Sequence, residues 1–253
     1  MMPYRLLISF FLLLPSLTWG QDKLSVLLQT SLAQEESMTS KDKSRVSDTF
    51  YDSLRNKVDR LKTKVFYRQA DQYDAFNGLL MYSEKMVEWD QENLQKQLLN
   101  GKIWRYSGDF LNAETSYENA LTLLEKQAPK SEYAEIYLEM SVLKSVISGD
   151  SEDALVVLAE GMEYLESFKE SKAYKNLESR RLDLLTRSPE RRLETEAAFR
   201  EAVENQPDAL NLQLMQARFY EKVDAQKARS LYQRLIEKED APYIAYFTFA
   251  KFL

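Results

Sequence analysis

The sequence predicts an all-α fold, an α-solenoid of antiparallel helix hairpins, on three observations. The first is a repeated spacing. Gly108 and Gly149 stand 41 residues apart, as do Ala113 and Ala154, and Tyr117 and Leu158. Ala120, Gly161 and Ala202 take the same step twice. Small residues at a fixed period in helix-forming sequence mark stacked hairpins, because two helix axes approach closely only where a side chain is nearly absent. The second is the scarcity of chain breakers, 6 Gly and 6 Pro in 253 residues, which leaves room for long helices and little for turn-rich β structure. The third is an apolar stripe: Val46, Phe50, Leu54, Val58, Leu61 and Val65 recur at steps of three and four, one face of a helix.

Composition narrows the function classes. With 44% hydrophobic and 29% charged residues the chain can bury a sizeable core. It has no Cys and no His. Zinc or iron–sulfur sites built on those ligands, thiol or imidazole chemistry and disulfides are therefore excluded. A net charge of -6 makes the chain as a whole a poor binder of nucleic acid and of anionic membranes. There is no phosphate loop, no Gly-x-Ser-x-Gly, no Ser-x-x-Lys with its companion motifs and no Asp-rich calcium loop. Asp90-Gln91-Glu92 and Glu194-Thr195-Glu196 read as solvated helix faces. No catalytic, cofactor-binding or metal-ligating residue is assigned, no cofactor is expected, and the expectation is a protein that is not an enzyme.

The elements follow in order. Residues 1–20 read as a secretory signal: Arg5, an apolar core from Leu6 to Leu14, then Thr18-Trp19-Gly20 with cleavage after Gly20. The other reading is an uncleaved anchor, for which nine apolar residues are short. A secreted chain without cysteines or an Asn-x-Ser/Thr sequon fits a bacterial periplasm better than a eukaryotic lumen. Periplasmic or secreted is thus the expected location, with no transmembrane span after cleavage. Residues 21–43 form a short helix around Leu24, Val26, Leu27 and Leu32, then a polar linker. Residues 44–93 form a helical hairpin, a divergent repeat or N-terminal cap, whose first helix runs to about Val65 and whose second carries Phe76, Leu79, Leu80, Met86, Val87 and Trp89. The first stripe also admits a coiled-coil seam.

From Leu94 the pattern is sharpest. Gly101 and Trp104, then Gly108-Asp109-Phe110, then Ala113, Tyr117 and Ala120 closely resemble the tetratricopeptide repeat (TPR) family. That family has a small residue and an aromatic on helix A, Gly-Asp-aromatic at the turn, and Ala, aromatic and Ala on helix B. Asn100 stands where a Leu is usual. The resemblance implies a right-handed solenoid with TPR units at 94–127, 135–168, 176–209 and 210–241. The second unit carries Gly149-Asp150, Ala154, Leu158 and Gly161, with Val142 and Ser145 on helix A. The third carries Pro189-Glu190, Phe199, Ala202 and Pro207. The fourth carries Ala217, Tyr220, Ala228 and Tyr232. Residues 242–253 read as the first helix of an incomplete fifth unit, exposing Phe247, Phe249 and Phe252 and placing Ala250 at the small position. A capping helix and a terminal barrel strand are the alternatives.

In the family, helix A faces line a concave groove for peptides or extended protein segments. Carried over by position, that groove is Gln95, Leu98, Lys102, Arg105 and Tyr106 with Ile136, Glu139, Leu143, Val146 and Ile147. The apolar members can equally be core, and the cations merely solvated. The family's carboxylate-clamp pattern is not reproduced. The expected function is an exported protein–protein interaction scaffold in the cell envelope, serving assembly, secretion or polysaccharide export. The alternative is the periplasmic sensory input domain of a longer transmembrane signalling protein. The expected partner is a protein or extended peptide, with no nucleic acid. Self-association through the N-terminal helices or an uncapped C-terminal end is the other contact the sequence allows.

Overall fold

The computed structural model describes residues 23–149 and 151–253. The expected leader and its cleavage site lie outside the described residues, as does Asp150 of the second turn. The described residues hold thirteen α-helices, short 3-10 turns and no strand. None of these helices is long and apolar enough to cross a membrane. The chain divides after Asp109 into two compact units.

The first unit contains α1 (Lys23–Gln34), α2 (Ser40–Thr63), α3 (Gln69–Asn77), α4 (Leu80–Glu88) and α5 (Leu94–Ser107). Helix α2 starts within the stretch expected to be linker. Thr39 accepts from the Asp42 amide, and the Asp42 carboxylate accepts from the Thr39 amide, each at 3.2 Å, a capping box that satisfies two orphan donors. The stripe expected from periodicity is the buried face of α2: Phe50, Leu54 and Val58 are at most 2% exposed. Val65 departs from it. The helix ends at Thr63, and Val65 beyond it is 77% exposed.

The expected second helix of this hairpin is two helices, because the chain turns at Gly78-Leu79. Asn77-Gly78 is a poor helix former, and the turn lets Phe76, Leu79 and Met86 all reach one core. That core stacks Phe50 on Trp89 at 6.0 Å and Phe76 on Tyr106 at 4.9 Å. Polar ties reinforce it. The Ser47 hydroxyl donates to the Met86 carbonyl at 2.6 Å, and Glu35 accepts from the Trp89 indole at 2.8 Å and from Lys85 at 3.1 Å. Gly108 closes α5 at φ 90, a left-handed cap that glycine adopts without steric cost. A β-carbon there would also meet the Tyr73 ring at 3.1 Å.

The second unit contains α6 (Phe110–Leu124), α7 (Ala134–Ile147), α8 (Glu152–Tyr164), α9 (Lys172–Leu185), α10 (Arg192–Asn205), α11 (Leu210–Glu221), α12 (Ala225–Ile236) and α13 (Tyr243–Phe252). From α7 onward each helix packs on the one before it, and α9 packs on both α7 and α8, as in stacked hairpins. The small residues of the 41-residue step are buried: Ala120 at 0%, Ala202 at 1%, and Gly161 against the Tyr137 ring. Ala113, Tyr117, Ala154, Leu158, Ala217, Ala228 and Tyr232 are all at 0%. Gly149 takes φ 71 at its turn.

Helix α13 corrects the expectation for residues 242–253. Phe249 is not exposed: it is 9% accessible and stacks on Tyr232 at 5.3 Å. Phe252 is half-buried at 5.8 Å from the same ring, and only Phe247 of the three is exposed, at 51%. Ala245 supplies the fully buried small contact, whereas Ala250 is exposed. The physical reason is register: residues 245, 249 and 252 share the helix face turned to α12.

Candidate functional site

A concavity of about 1050 Å³ lies within the second unit. Its walls come from three successive first helices of hairpins. Helix α9 and the turn after it supply Asp183, Thr186, Arg187, Ser188 and Pro189, and Arg192 opens α10. Helix α11 supplies Met215, Arg218 and Phe219, and Lys222 at its C-cap continues their spacing of three and four. Glu221 and Val223 extend that wall. Helix α13 supplies Ile244, Phe247, Thr248, Lys251 and Phe252, again one face.

The cleft is cationic in an acidic protein. Arg187, Arg192, Arg218, Lys222 and Lys251 line it against two carboxylates, Asp183 and Glu221. Both carboxylates are engaged. Asp183 accepts from Arg180 at 3.0 Å and Arg187 at 2.8 Å. Glu221 accepts the Tyr232 hydroxyl, whose pKa is pushed up by burial first and by that carboxylate next. Of the cations, Arg187 and Arg192 are ion-paired and the other three are not held by a carboxylate among the described residues. Arg218 donates to the Thr248 hydroxyl at 3.1 Å, bracing α11 against α13. Lys251 sits 5.7 Å over the Phe247 ring, and Lys222 makes no ion pair among the described residues. Arg192 holds Glu196 at 3.2 Å. Apolar side chains lie between these charges: Met215 and Phe219 on one wall, Ile244 and Phe247 on the other. Aromatic and aliphatic surface with a few convergent charges is what peptide sites use.

None of the ten groove residues expected from the sequence lines this cleft. In the first unit, Leu98 is 2% exposed and packs inside, while Gln95, Lys102, Arg105 and Tyr106 are half-buried. The Tyr106 ring is already used, stacked on Phe76 and approached by Arg105 at 4.3 Å. In the second unit, Ile136 and Leu143 are 0% exposed core residues, and Glu139 accepts the buried Tyr117 hydroxyl at 3.4 Å. Val146 and Ile147 stay exposed, at 52% and 43%. The cleft residues fall in the third and fourth expected units and the helix after them, with Pro189-Glu190 at the turn of the third. No local signal marks them: Arg187, Arg192, Arg218, Lys222 and Lys251 are scattered over the last third of the chain among carboxylates.

The sequence matches no protein-family model and no curated protein. Solved structures do resemble it. The crystal structure of YrrB, a TPR protein with an unusual peptide-binding site, superposes with a TM-score of 0.53 over 90% of this chain and 98% of that one, at 14% identity. The P58(IPK) TPR domain aligns over 78% of this chain and 65% of that one at 15% identity, with a TM-score of 0.30, too loose a superposition to bear on the fold. The chain therefore has the all-α solenoid fold of antiparallel helix hairpins seen in TPR proteins.

Proposed function

We propose that this chain is an exported protein–protein interaction scaffold of the cell envelope, and that it grips an extended peptide segment in the α9–α11–α13 cleft. The observation that carries the reading is the cleft itself: about 1050 Å³, lined by five cations and by Met215, Phe219, Ile244 and Phe247. Such a lining favours an acidic segment with an aromatic or aliphatic anchor. Charge complementarity speeds encounter and sets register, and the buried anchor supplies most of the affinity. The likeness in fold to a TPR protein with a peptide-binding site supports a binding role over a catalytic one. The leader-like sequence before Gln21 supports export.

The test is fluorescence anisotropy of labelled peptides with the full chain. Acidic peptides bearing one Phe or Leu should bind more tightly than their Lys-substituted counterparts. Arg187→Glu with Lys222→Glu should reverse that preference, since both side chains are exposed and neither holds the core. Equal affinity for both peptide charges, unchanged by the reversal, overturns the reading. Intact-mass analysis of the exported chain tests the leader: a mature protein retaining residues 1–20 overturns the secretory signal.

A further inference from the structure

The corner between α2 and α3 has a composition found nowhere else in the chain. From Arg60 to Ala70 the sequence RLKTKVFYRQA carries four cations and no carboxylate. Its two most prominent side chains are apolar or aromatic: Val65 is 77% exposed and Tyr67 is 96% exposed. Neither has a core to join. Helix α2 has ended, Lys64 is extended at φ -76 and ψ 134, and only Phe66 of the three turns partly inward. The cations flank these side chains along the chain. Lys64 lies 5.1 Å from the Phe66 ring, Lys62 lies 5.7 Å from the Tyr106 ring, and Arg68 holds Asp71 at 2.5 Å while its other face meets solvent.

We propose that this corner docks on the surface of an anionic lipid bilayer, with Val65 and Tyr67 entering the headgroup layer and Arg60, Lys62 and Lys64 meeting lipid phosphates. The pattern fits that interface in three ways. Clustered Lys and Arg respond to the negative surface potential within a Debye length, where four cations outnumber the two flanking carboxylates, Asp59 and Asp71, and carboxylates farther off are screened. Tyrosine is favoured at the headgroup level because one end is apolar and the other forms hydrogen bonds. Long basic stems lie along apolar surface while their charges reach water. This exposed corner also offers no groove to cradle a peptide and no row of aromatics to stack bases. This docking is independent of the peptide cleft.

The absence of cysteine makes a position-specific test direct. Thr63→Cys in the full chain gives a single thiol beside Val65, to be labelled with an environment-sensitive fluorophore; Asp208→Cys gives an exposed control in the second unit. Vesicles of phosphatidylcholine containing phosphatidylglycerol should blue-shift the label at 63 and not at 208, and added salt should reverse the shift. Lys62→Gln with Lys64→Gln should weaken the response by about 30-fold, close to five-fold per charge. Val65→Ser with Tyr67→Ser should reduce it with the helical circular dichroism unchanged. Because the apolar run Leu6–Leu14 can bind vesicles by itself, sedimentation of the chain without a shift at 63 overturns the proposal. So does an equal shift with phosphatidylcholine alone, or a shift produced by RNA and not by anionic vesicles.

Discussion

Gly161 sits against the root of the Tyr137 side chain: a β-carbon at 161 would lie 2.5 Å from Tyr137 Cγ and 2.7 Å from its Cβ. Those atoms cannot swing away as the end of a flexible chain could. Gly161→Ala would ordinarily gain about 0.5–1 kcal/mol within a helix. Here the clash, about 1–3 kcal/mol for an overpacked contact, outweighs that gain. The expected result is a lower melting temperature in a thermal scan. The ring stack of Tyr137 on Tyr164, 5.9 Å apart, should loosen with it, and the Tyr137 phenol, pushed by burial up to about 12, should titrate lower.

Lys96 is 1% exposed, and its ammonium lies 2.7 Å from both Asp48 and Asp90. The two ends of this network differ in solvation, since the Asp48 side chain is 63% exposed and that of Asp90 is 26%. Removing the cation leaves carboxylates that water can still reach, so Lys96→Met should cost about 1–2 kcal/mol, a value discounted for solvent. Removing both carboxylates strands a buried ammonium. Asp48→Asn with Asp90→Asn should therefore cost more, about 3–5 kcal/mol in urea unfolding.

Glu178 is held above the usual carboxylate range by burial and by Glu201, against the Gln206 amide that donates to it at 2.7 Å. A carboxylate whose folded pKa is raised binds more protons folded than unfolded. Its charged form is a penalty that is complete above the folded pKa and disappears below the unfolded one. Glu178→Gln keeps an acceptor for Gln206. It should raise the melting temperature at pH 7, and the gain should shrink to nothing as pH falls below about 4. A gain that persists in acid would place the effect elsewhere.

Glu35 and Asp42 have the opposite sign. Hydrogen bonds from Trp89 and Lys85, and from Thr39, hold their carboxyls below the usual range. Their contribution is present above the unfolded pKa and is lost as pH falls through the folded one. Glu35→Gln should lower the melting temperature at pH 7 and have little effect at the acid end of the same scan.

Two aromatics on α13 separate stability from binding. Phe249 is stacked on Tyr232 and buried, so Phe249→Ala should cost about 3 kcal/mol. Phe247 is 51% exposed in the cleft wall, so Phe247→Ala should change stability by no more than about 0.5 kcal/mol. It should nonetheless weaken the acidic peptides of the anisotropy assay.

Much of the architecture was legible in the residues. The α2 stripe, the left-handed caps at Gly108 and Gly149, and the small residues at 120, 161 and 202 follow from local rules: helical periodicity, the steric freedom of glycine, and the need for a missing side chain where helices touch. Those rules act within a few turns, so a single sequence displays them. The capping box at Thr39 and the break at Asn77-Gly78 were legible by the same rules, but the surrounding polar and apolar patterns masked them.

The cleft was not legible, because no short segment contains it. Arg187, Arg218 and Lys251 are separated by about 30 residues at each step and meet only because α9, α11 and α13 stack in register. The same holds for burial at equal hydrophobicity. Phe247, Phe249 and Phe252 are alike in the sequence, yet Phe247 lines the cleft, Phe249 covers Tyr232, and Phe252 touches both. Periodicity states which residues share a face of a helix. Only the packed neighbours decide whether that face meets core, cleft or water, since burial is a property of the space between helices and not of any one of them.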